Sequence, residues 1–133
     1  MTNEEAVTKF LSDYYAAFST LNIQAILAYF YEPALLVGPS GVLPLPTAAA
    51  LVPIFSPVME NLRRRQYGHS ELKLQQLKLL SATSALAIGV AIRLKTDGQE
   101  LERAGVTYLL HKTERDWKFA VLLLHDADEV ARS

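Results

Sequence analysis

Residues 84–125 read SALAIGVAIRLKTDGQELERAGVTYLLHKTERDWKFAVLLLH, three apolar segments separated by two short polar turns. The turns contain TDG at 96–98 and ERD at 114–116, residue types that favour tight reversals between strands. Each apolar segment has a length and composition typical of a strand. The stretch therefore predicts an antiparallel meander, with strands at 84–95, 100–112 and 117–125.

The segment before this meander adds one more strand with an irregularity. Leu72 and Leu74 alternate with polar residues, but the alternation shifts by one residue at Leu77 and Leu79. Side chains in a strand alternate between two faces, so both pairs can share a face only if one extra residue is inserted near 75–76. The shift predicts a β-bulge that bends the sheet.

The N-terminal half predicts three helices. Thr2 and Glu5 have the spacing of a capping box. Apolar residues then recur at the helical spacing through Leu21. Asn22 is expected to cap a second, shorter helix that ends near Glu32, because Pro33 disfavours a helical residue before it.

A strand and a third helix complete this half. Residues 34–37 form an apolar strand that ends at the turn GPSG, and residues 42–46 resemble an edge strand or extended connector because of their prolines. Thr47 is expected to cap the third helix. Pro53 and Pro57 predict a kink or two pieces, the second restarting at Ser56–Pro57 and ending near 67–68.

The strand at 84–95 is apolar on both faces. One face carries large residues, Leu86, Ile88, Val90, Ile92 and Leu94; the other carries small ones, Ala85, Ala87, Gly89 and Ala91. We expect the large face to meet the helices, which leaves the small outer face without a cover. This predicts a homodimer that packs sheet against sheet. The alternative is an exposed face of low polarity.

Composition narrows the class of protein. The chain has 133 residues, half of them hydrophobic, a formal net charge of -1 and no cysteine. We expect one domain over residues 1–133. Near-neutral charge argues against nucleic acid and anionic membrane surfaces as partners. The acidic start is unlike a signal peptide, and no apolar run approaches the roughly 20 residues of a membrane span, so we expect a soluble cytoplasmic protein.

The order of the predicted elements resembles the nuclear transport factor 2-like superfamily, which includes ketosteroid isomerases and SnoaL-like polyketide cyclases. DYYAAFSTLNIQAILAYFYEPALLVGPSG, residues 13–41, follows the isomerase pattern without a gap, and GVTYLLHKTERDWKF, residues 105–119, supports it. The run at 100–126 is also similar to small uncharacterised bacterial members. The resemblance implies an α+β cystatin-like cone, in which three N-terminal helices pack on a curved, mostly antiparallel sheet around an apolar pocket.

The resemblance also implies positions for ligand contacts. Tyr14 corresponds to the tyrosine that donates a hydrogen bond to the steroid oxygen, and Tyr108 to an aspartic acid that is its oxyanion partner. The isomerase base, an aspartate, corresponds to Gly38, which cannot move a proton. Ser40 in the same turn would line the mouth of the cone. For both tyrosines, the alternative is a ring packed in the core with one acceptor for its hydroxyl.

Two residues at the end of the last strand are further candidates. His125 is the remaining candidate for a catalytic base, and either His125 or Asp126 is expected to face the pocket; the alternative is a polar strand end in water. The three histidines lack the spacing of metal ligands, so the sequence predicts no metal site and no cofactor. Glu100, Glu102 and Arg103 are interpreted as a solvated strand end.

Three functions remain open at this point. The leading hypothesis is a domain that binds a small apolar or carbonyl ligand through Tyr14, Tyr108, Ser40 and Asp126. A SnoaL-like enzyme would transfer a proton on a carbonyl compound with His125 as base, and it requires His125 and Tyr14 to share one cavity. A structural dimerisation module would fill the cone with its own side chains.

Overall fold

The first helix forms as its sequence predicts. In the computed structural model, which describes residues 1–127, α1 spans Asn3–Ser19. The Thr2 hydroxyl accepts a hydrogen bond from the Glu5 amide at 3.1 Å, and the Glu5 carboxylate accepts one from the Thr2 amide at 3.0 Å. This capping box fixes the start of the helix. The buried face of α1 consists of Val7, Leu11, Tyr14, Tyr15 and Phe18.

The second helix that the sequence predicts does not form. Two short 3-10 turns, Ile23–Ala25 and Leu27–Tyr29, take its place, and strand β1, Phe30–Gly38, follows at once. Asn22 does cap the first turn, accepting a hydrogen bond from the Gln24 amide. Pro33 lies inside the strand. It is tolerated there because the pairing of β1 with β6 is interrupted between Phe30 and Leu35, where the amide that proline lacks is not needed.

The third helical region forms in two pieces, but they join earlier than expected. A 3-10 turn, Ala48–Leu51, leads into α2, Val52–Arg64. Pro53 lies in the first turn of α2, where its missing amide costs no helical hydrogen bond, and Pro57 lies inside the helix. Thr47 occupies the N-cap position, but its side chain makes no capping hydrogen bond.

Helix α2 ends before residue 67 because the backbone leaves the helical conformation. Gln66 has a φ of 62°, in the left-handed region, and Tyr67 already begins strand β3. The expected end near 67–68 was therefore a few residues late.

A six-stranded mixed sheet forms the other layer, in the order β2-β1-β6-β5-β4-β3. β1 and β6 are parallel, and all other neighbours are antiparallel. The three strands of the meander have the predicted bounds, and β2 is an edge strand, as its prolines indicate. The remaining strands are β2 Gly41–Leu45, β3 Tyr67–Leu79, β4 Ser84–Lys95, β5 Glu100–Lys112 and β6 Trp117–His125.

The predicted bulge is present in β3, where the register against β4 shifts between Leu74 and Gln76. Gly89 of β4 lies opposite this point. A Cβ built on Gly89 would lie 2.3 Å from the carbonyl oxygen of Lys73 and 3.1 Å from the Cα of Leu74. The glycine is needed here because the bulged strand approaches its backbone closely.

The two faces of β4 are the reverse of the prediction. Ala85, Ala87 and Ala91 pack in one core with α1 and α2, on what we call the inner face of the sheet. The large residues point away from the helices, on the outer face; they are Leu86, Ile88, Val90, Ile92 and Leu94. The small residues lie inside because α1 and β5 bring aromatic rings to the inner face, and these rings need the space.

The helices are also too short or too polar for a bilayer: within residues 1–127, none has the length and hydropathy that a membrane span requires.

Candidate functional site

A cavity of about 290 Å³ lies between the helices and the inner face of the sheet. We call it the cone cavity. Its volume is at the lower end of the roughly 300–1,000 Å³ typical of ligand pockets. Apolar side chains form most of its wall, including Phe18, Phe55, Val58, Ala91, Ala104, Val106 and Leu124.

Two larger grooves lie at the surface. One, of about 630 Å³, runs between α1 and β3, and the other, of about 540 Å³, lies beside the N-terminus and the β5–β6 turn. Both are more open than the cone cavity. We place the candidate site in the cone cavity because it combines apolar walls with buried polar groups, as ligand pockets do.

Three tyrosines form the deep part of the cone cavity. Tyr14 and Tyr15 come from the buried face of α1, and Tyr108 comes from β5, opposite the small Ala87. The hydroxyls of Tyr15 and Tyr108 are 2.5 Å apart and share a hydrogen bond. Tyr14 packs edge-on against Phe119, with ring centroids 4.7 Å apart, and its hydroxyl has no hydrogen-bond partner within residues 1–127.

Burial keeps these phenols neutral. It raises the pKa of Tyr15 to about 12, although the hydrogen bond to Tyr108 and the charge of Arg93 act in the opposite direction. Burial likewise raises the pKa of Tyr14 and of Tyr108 well above that of an exposed tyrosine, and the Arg93 charge opposes the rise. All three side chains therefore remain hydrogen-bond donors at neutral pH.

Charged residues lie at the more exposed end of the cone cavity. The Glu102 carboxylate accepts hydrogen bonds from Arg65 at 2.6 Å and from Arg93 at 2.8 Å. The Arg93 side chain is 26% exposed, and its guanidinium carbon lies 5.3 Å from the centre of the Phe18 ring. One carboxylate thus serves two guanidinium groups.

Glu102 is held in its charged form by these partners. Burial alone would raise the pKa of its carboxyl, but the hydrogen bond from Arg65 and the charges of Arg93 and Arg65 outweigh burial and lower the pKa. A carboxylate with a lowered pKa is a weak proton acceptor. Glu102 is therefore suited to positioning the two arginines and poorly suited to acting as a general base.

The comparisons with known proteins agree with this architecture. A family model described as NTF2-like protein (DUF6841) matches residues 3–127. The chain belongs to this NTF2-like family. The resemblance inferred from the sequence is thereby confirmed. No curated protein matches the chain.

Solved structures share the NTF2-like fold at low sequence identity. An NTF2-like protein of unknown function from Shewanella oneidensis has a TM-score of 0.74 and 17% identity over 94% of this chain and 100% of that one. A cystatin-like domain of unknown function from Nostoc punctiforme has a TM-score of 0.74 and 16% identity, over 94% and 78%. A ketosteroid isomerase-like protein from Erwinia carotovora has a TM-score of 0.62 and 19% identity, over 93% and 97%. At these identities the similarity concerns the fold alone.

Two of the sequence-predicted site residues meet in this NTF2-like chain. Tyr14 and Tyr108 both line the cone cavity. Ser40 does not; it lies in the exposed turn between β1 and β2, at the end of the sheet far from β3 and β4. The position that corresponds to the isomerase base, Gly38, ends β1, and a Cβ there would meet nothing within 4 Å.

His125 lies on the opposite side of the sheet from the tyrosines, so it does not share a cavity with Tyr14 as the enzyme hypothesis requires. Its Nδ1 donates to the carbonyl oxygen of Asp126 at 3.0 Å, and its Nε2 lies 3.2 Å from the Thr107 hydroxyl. The imidazole covers Gly105 on the outer face: a Cβ on this glycine would be 2.3 Å from Nδ1. Asp126 follows β6 and is exposed.

The sequence reading missed Tyr15, Arg93 and Glu102. Arg93 is two residues from Ala91, and Glu102 pairs with Arg93 across β4 and β5. Arg93 shares the small face of β4, which was expected from the sequence to lie outside, and Glu102 was interpreted as part of a solvated strand end; the structure instead places Glu102 in the wall of the cone cavity. One signal in the sequence could have indicated Arg93: it is the one charged residue that follows the small residues Ala85, Ala87, Gly89 and Ala91 on the same face of β4. Within residues 1–127, no three side chains capable of binding a metal lie together.

Proposed function

We propose that this NTF2-like chain binds a small organic molecule in the cone cavity. The observation that carries the proposal is a cavity of about 290 Å³ that retains three buried phenols, one of them without a hydrogen-bond partner within residues 1–127. A module stabilised only by its own side chains would fill this space, since protein interiors are close-packed. The phenols supply donors for a carbonyl or similar acceptor.

The alternative of a SnoaL-like enzyme has less support. Proton transfer requires a base within reach of the substrate. His125 lies on the other side of the sheet, and Glu102 is occupied by two arginines. Binding without turnover is therefore the function that these residues favour.

A neutral aromatic ketone, acetophenone, is a suitable first probe. Titrated into the isotopically labelled protein, it should shift the amide resonances of residues that line the cone cavity. Ala91→Phe, which places a ring in the cavity, should abolish the shifts, whereas Ala49→Phe at an exposed position of the 3-10 turn should leave them intact. Shifts confined to a surface groove, or none in the wild-type protein, would overturn the proposal.

We also propose that two copies of this chain form a homodimer through the outer face of the sheet. Large apolar side chains cover this face on four strands, and both α-helices lie on the other side. Leu35 remains 39% exposed, although such side chains are usually covered when they form a continuous patch. The exposed or partly exposed members of the patch are Leu35, Val37, Leu86, Leu109, Val121 and Leu123.

Sedimentation equilibrium tests the pairing. The wild-type chain should behave as a particle of twice 14.8 kDa. Leu123→Asp should reduce it to one chain, because a carboxylate would be buried without a partner in the interface. Arg64→Asp, at the exposed end of α2, is the control and should leave the dimer intact. A wild-type protein of 14.8 kDa at high concentration would contradict the proposal.

A further inference from the structure

The charged end of the cone cavity carries information about the ligand. Arg65 and Arg93 together contribute two positive charges, and Glu102, their shared partner, contributes one negative charge. Arg103 also lines the cavity, but its guanidinium is paired with Glu100. The cluster at the mouth therefore has an excess of one positive charge.

Arg93 is positioned to receive a ligand. A guanidinium has five N–H donors in a fixed plane. Within the part of the chain that the structure describes, the only hydrogen bond of the Arg93 side chain runs from one terminal nitrogen to Glu102. The Phe18 ring supports the guanidinium from one side. The remaining donors match the bidentate geometry with which arginine binds carboxylates.

The cavity continues from this cation into an apolar space. Phe18, Phe55 and Val58 face Ala91 and Val106 across it, and the neutral phenols close its deep end. The side chains of the phenols are almost fully buried, whereas Arg93 is about one quarter exposed. A molecule with an anionic head and an apolar body would therefore orient in one direction only.

We infer that the cone cavity selects small aromatic carboxylic acids, with the carboxylate on Arg93 and the ring directed toward the tyrosines. This inference rests on the proposed function and adds the class of ligand. Glu102 holds Arg93 in place in the free protein. The incoming carboxylate takes over part of this role, while Glu102 keeps its bond to Arg65.

Phenylacetate and its neutral analogue phenylacetamide form a matched pair of probes, compared by calorimetry and by amide shifts. The acid should bind the wild-type protein about tenfold or more tightly than the amide, because a charged hydrogen-bonded pair is stronger than a neutral one. Arg93→Met should reduce this ratio to about one, because phenylacetate loses a charged partner and phenylacetamide loses at most a neutral hydrogen bond. Arg115→Met, in the exposed β5–β6 turn, is the control and should behave as wild type.

Glu102→Gln provides a test that does not depend on the folding of the Arg93 variant. It removes one negative charge beside the bound carboxylate, so it should raise the affinity for phenylacetate by about three- to tenfold relative to that for phenylacetamide. A destabilised site would instead weaken both probes.

The outcomes separate the two proposals. Equal binding of acid and amide, a preference for the acid that survives Arg93→Met, or weaker binding of the acid by Glu102→Gln would overturn the inference and leave small-molecule binding intact. Failure of both phenylacetate and phenylacetamide to shift any resonance of the cone cavity, together with failure of acetophenone, would overturn both.

Discussion

The two faces of strand β4 differ in the size of their side chains, although both are apolar. The inner face presents alanines and one glycine, and the space above them is occupied by the aromatic side chains of α1, β5 and β6. The outer face presents isoleucine, leucine and valine, and these pack mainly with one another. The comparison shows that hydrophobicity alone does not identify the core face; the size of the side chains on the opposing element decides it.

The outer face also changes along the sheet. On β3 it carries charged and polar residues, among them His69 and Glu71, whose side chains share a hydrogen bond at 3.0 Å. On β4 and β6 it is aliphatic. The apolar patch therefore ends at β3, whose polar residues would form a rim of the interface in the proposed homodimer.

The largest difference between the faces should appear on removal of an inner ring. Phe119 is fully buried and contacts the rings of Tyr14 and Tyr108. Phe119→Ala should destabilise the fold by about 3–5 kcal/mol, because the cavity cannot collapse between two layers. Val42→Ala, at an outer position that is 63% exposed, should cost less than about 1 kcal/mol. Urea unfolding measures both, and similar midpoints would contradict the comparison.

Alkaline pH should destabilise the fold because of the buried tyrosines on the inner face of the sheet. Because burial raises the pKa of Tyr15 from 10.0 to about 12, the unfolded chain loses this proton first, and stability should fall as pH rises through that interval. The loss from Tyr15 is about 2–3 kcal/mol. Unfolding curves should therefore be less pH-dependent for Tyr15→Phe, whereas Tyr31→Phe at an exposed position should follow wild type. If the stability of all three proteins fell equally with rising pH, Tyr15 would not be the cause of the pH dependence.

Enlarging a small inner residue should have an intermediate effect. Ala87 is fully buried opposite Tyr108, so Ala87→Leu forces the ring or the strand to move, at a cost of about 1–3 kcal/mol. Ala49→Leu in the exposed 3-10 turn should be close to neutral. Thermal unfolding compares them. If Ala87→Leu were as stable as wild type, the explanation for the small inner face would be wrong.

The smallest effect concerns one hydrogen bond. Tyr108→Phe removes the partner of the Tyr15 hydroxyl and should cost about 1 kcal/mol. In a double-mutant cycle with Tyr15→Phe, the two changes should couple by a similar amount, because the double variant leaves no hydroxyl unpaired. Additive changes would show that the two hydroxyls do not interact.

The sequence predicted the features that local signals determine. The polar turns fixed the three strands of the meander, the shift in alternation located the bulge of β3, and the spacing of Thr2 and Glu5 located the start of α1. Each of these signals acts over a few residues, so no knowledge of distant partners was required.

The errors arose where distant contacts decide the structure. Phe30 lies in a strand because it pairs with β6, and no local signal outweighed the helical spacing around it. Which face of β4 lies in the core depends on the aromatic side chains of α1 and β5 that pack against it. This assignment also hid Arg93, since residues two apart on a strand share a face. Glu102 was missed because a charged residue close to a turn is typical of a solvated strand end, and only its distant partner Arg65 and its neighbour Arg93 hold it in the cavity wall. Tyr14 and Tyr108 were found because both lie in segments that resemble the isomerases.

The parallel pairing of β1 with β6 has a consequence for synthesis on the ribosome. Leu35 of β1 pairs with Val121 of β6, 86 positions later in the sequence, so β1 can gain this neighbour only after β6 has been synthesised. The β1–β2 hairpin and α1 emerge first, but the sheet cannot connect its two halves until the last strand is released. Contacts this distant in sequence slow folding. Nascent chains that end before β6 should therefore remain sensitive to proteases, and protection should rise sharply once β6 has emerged.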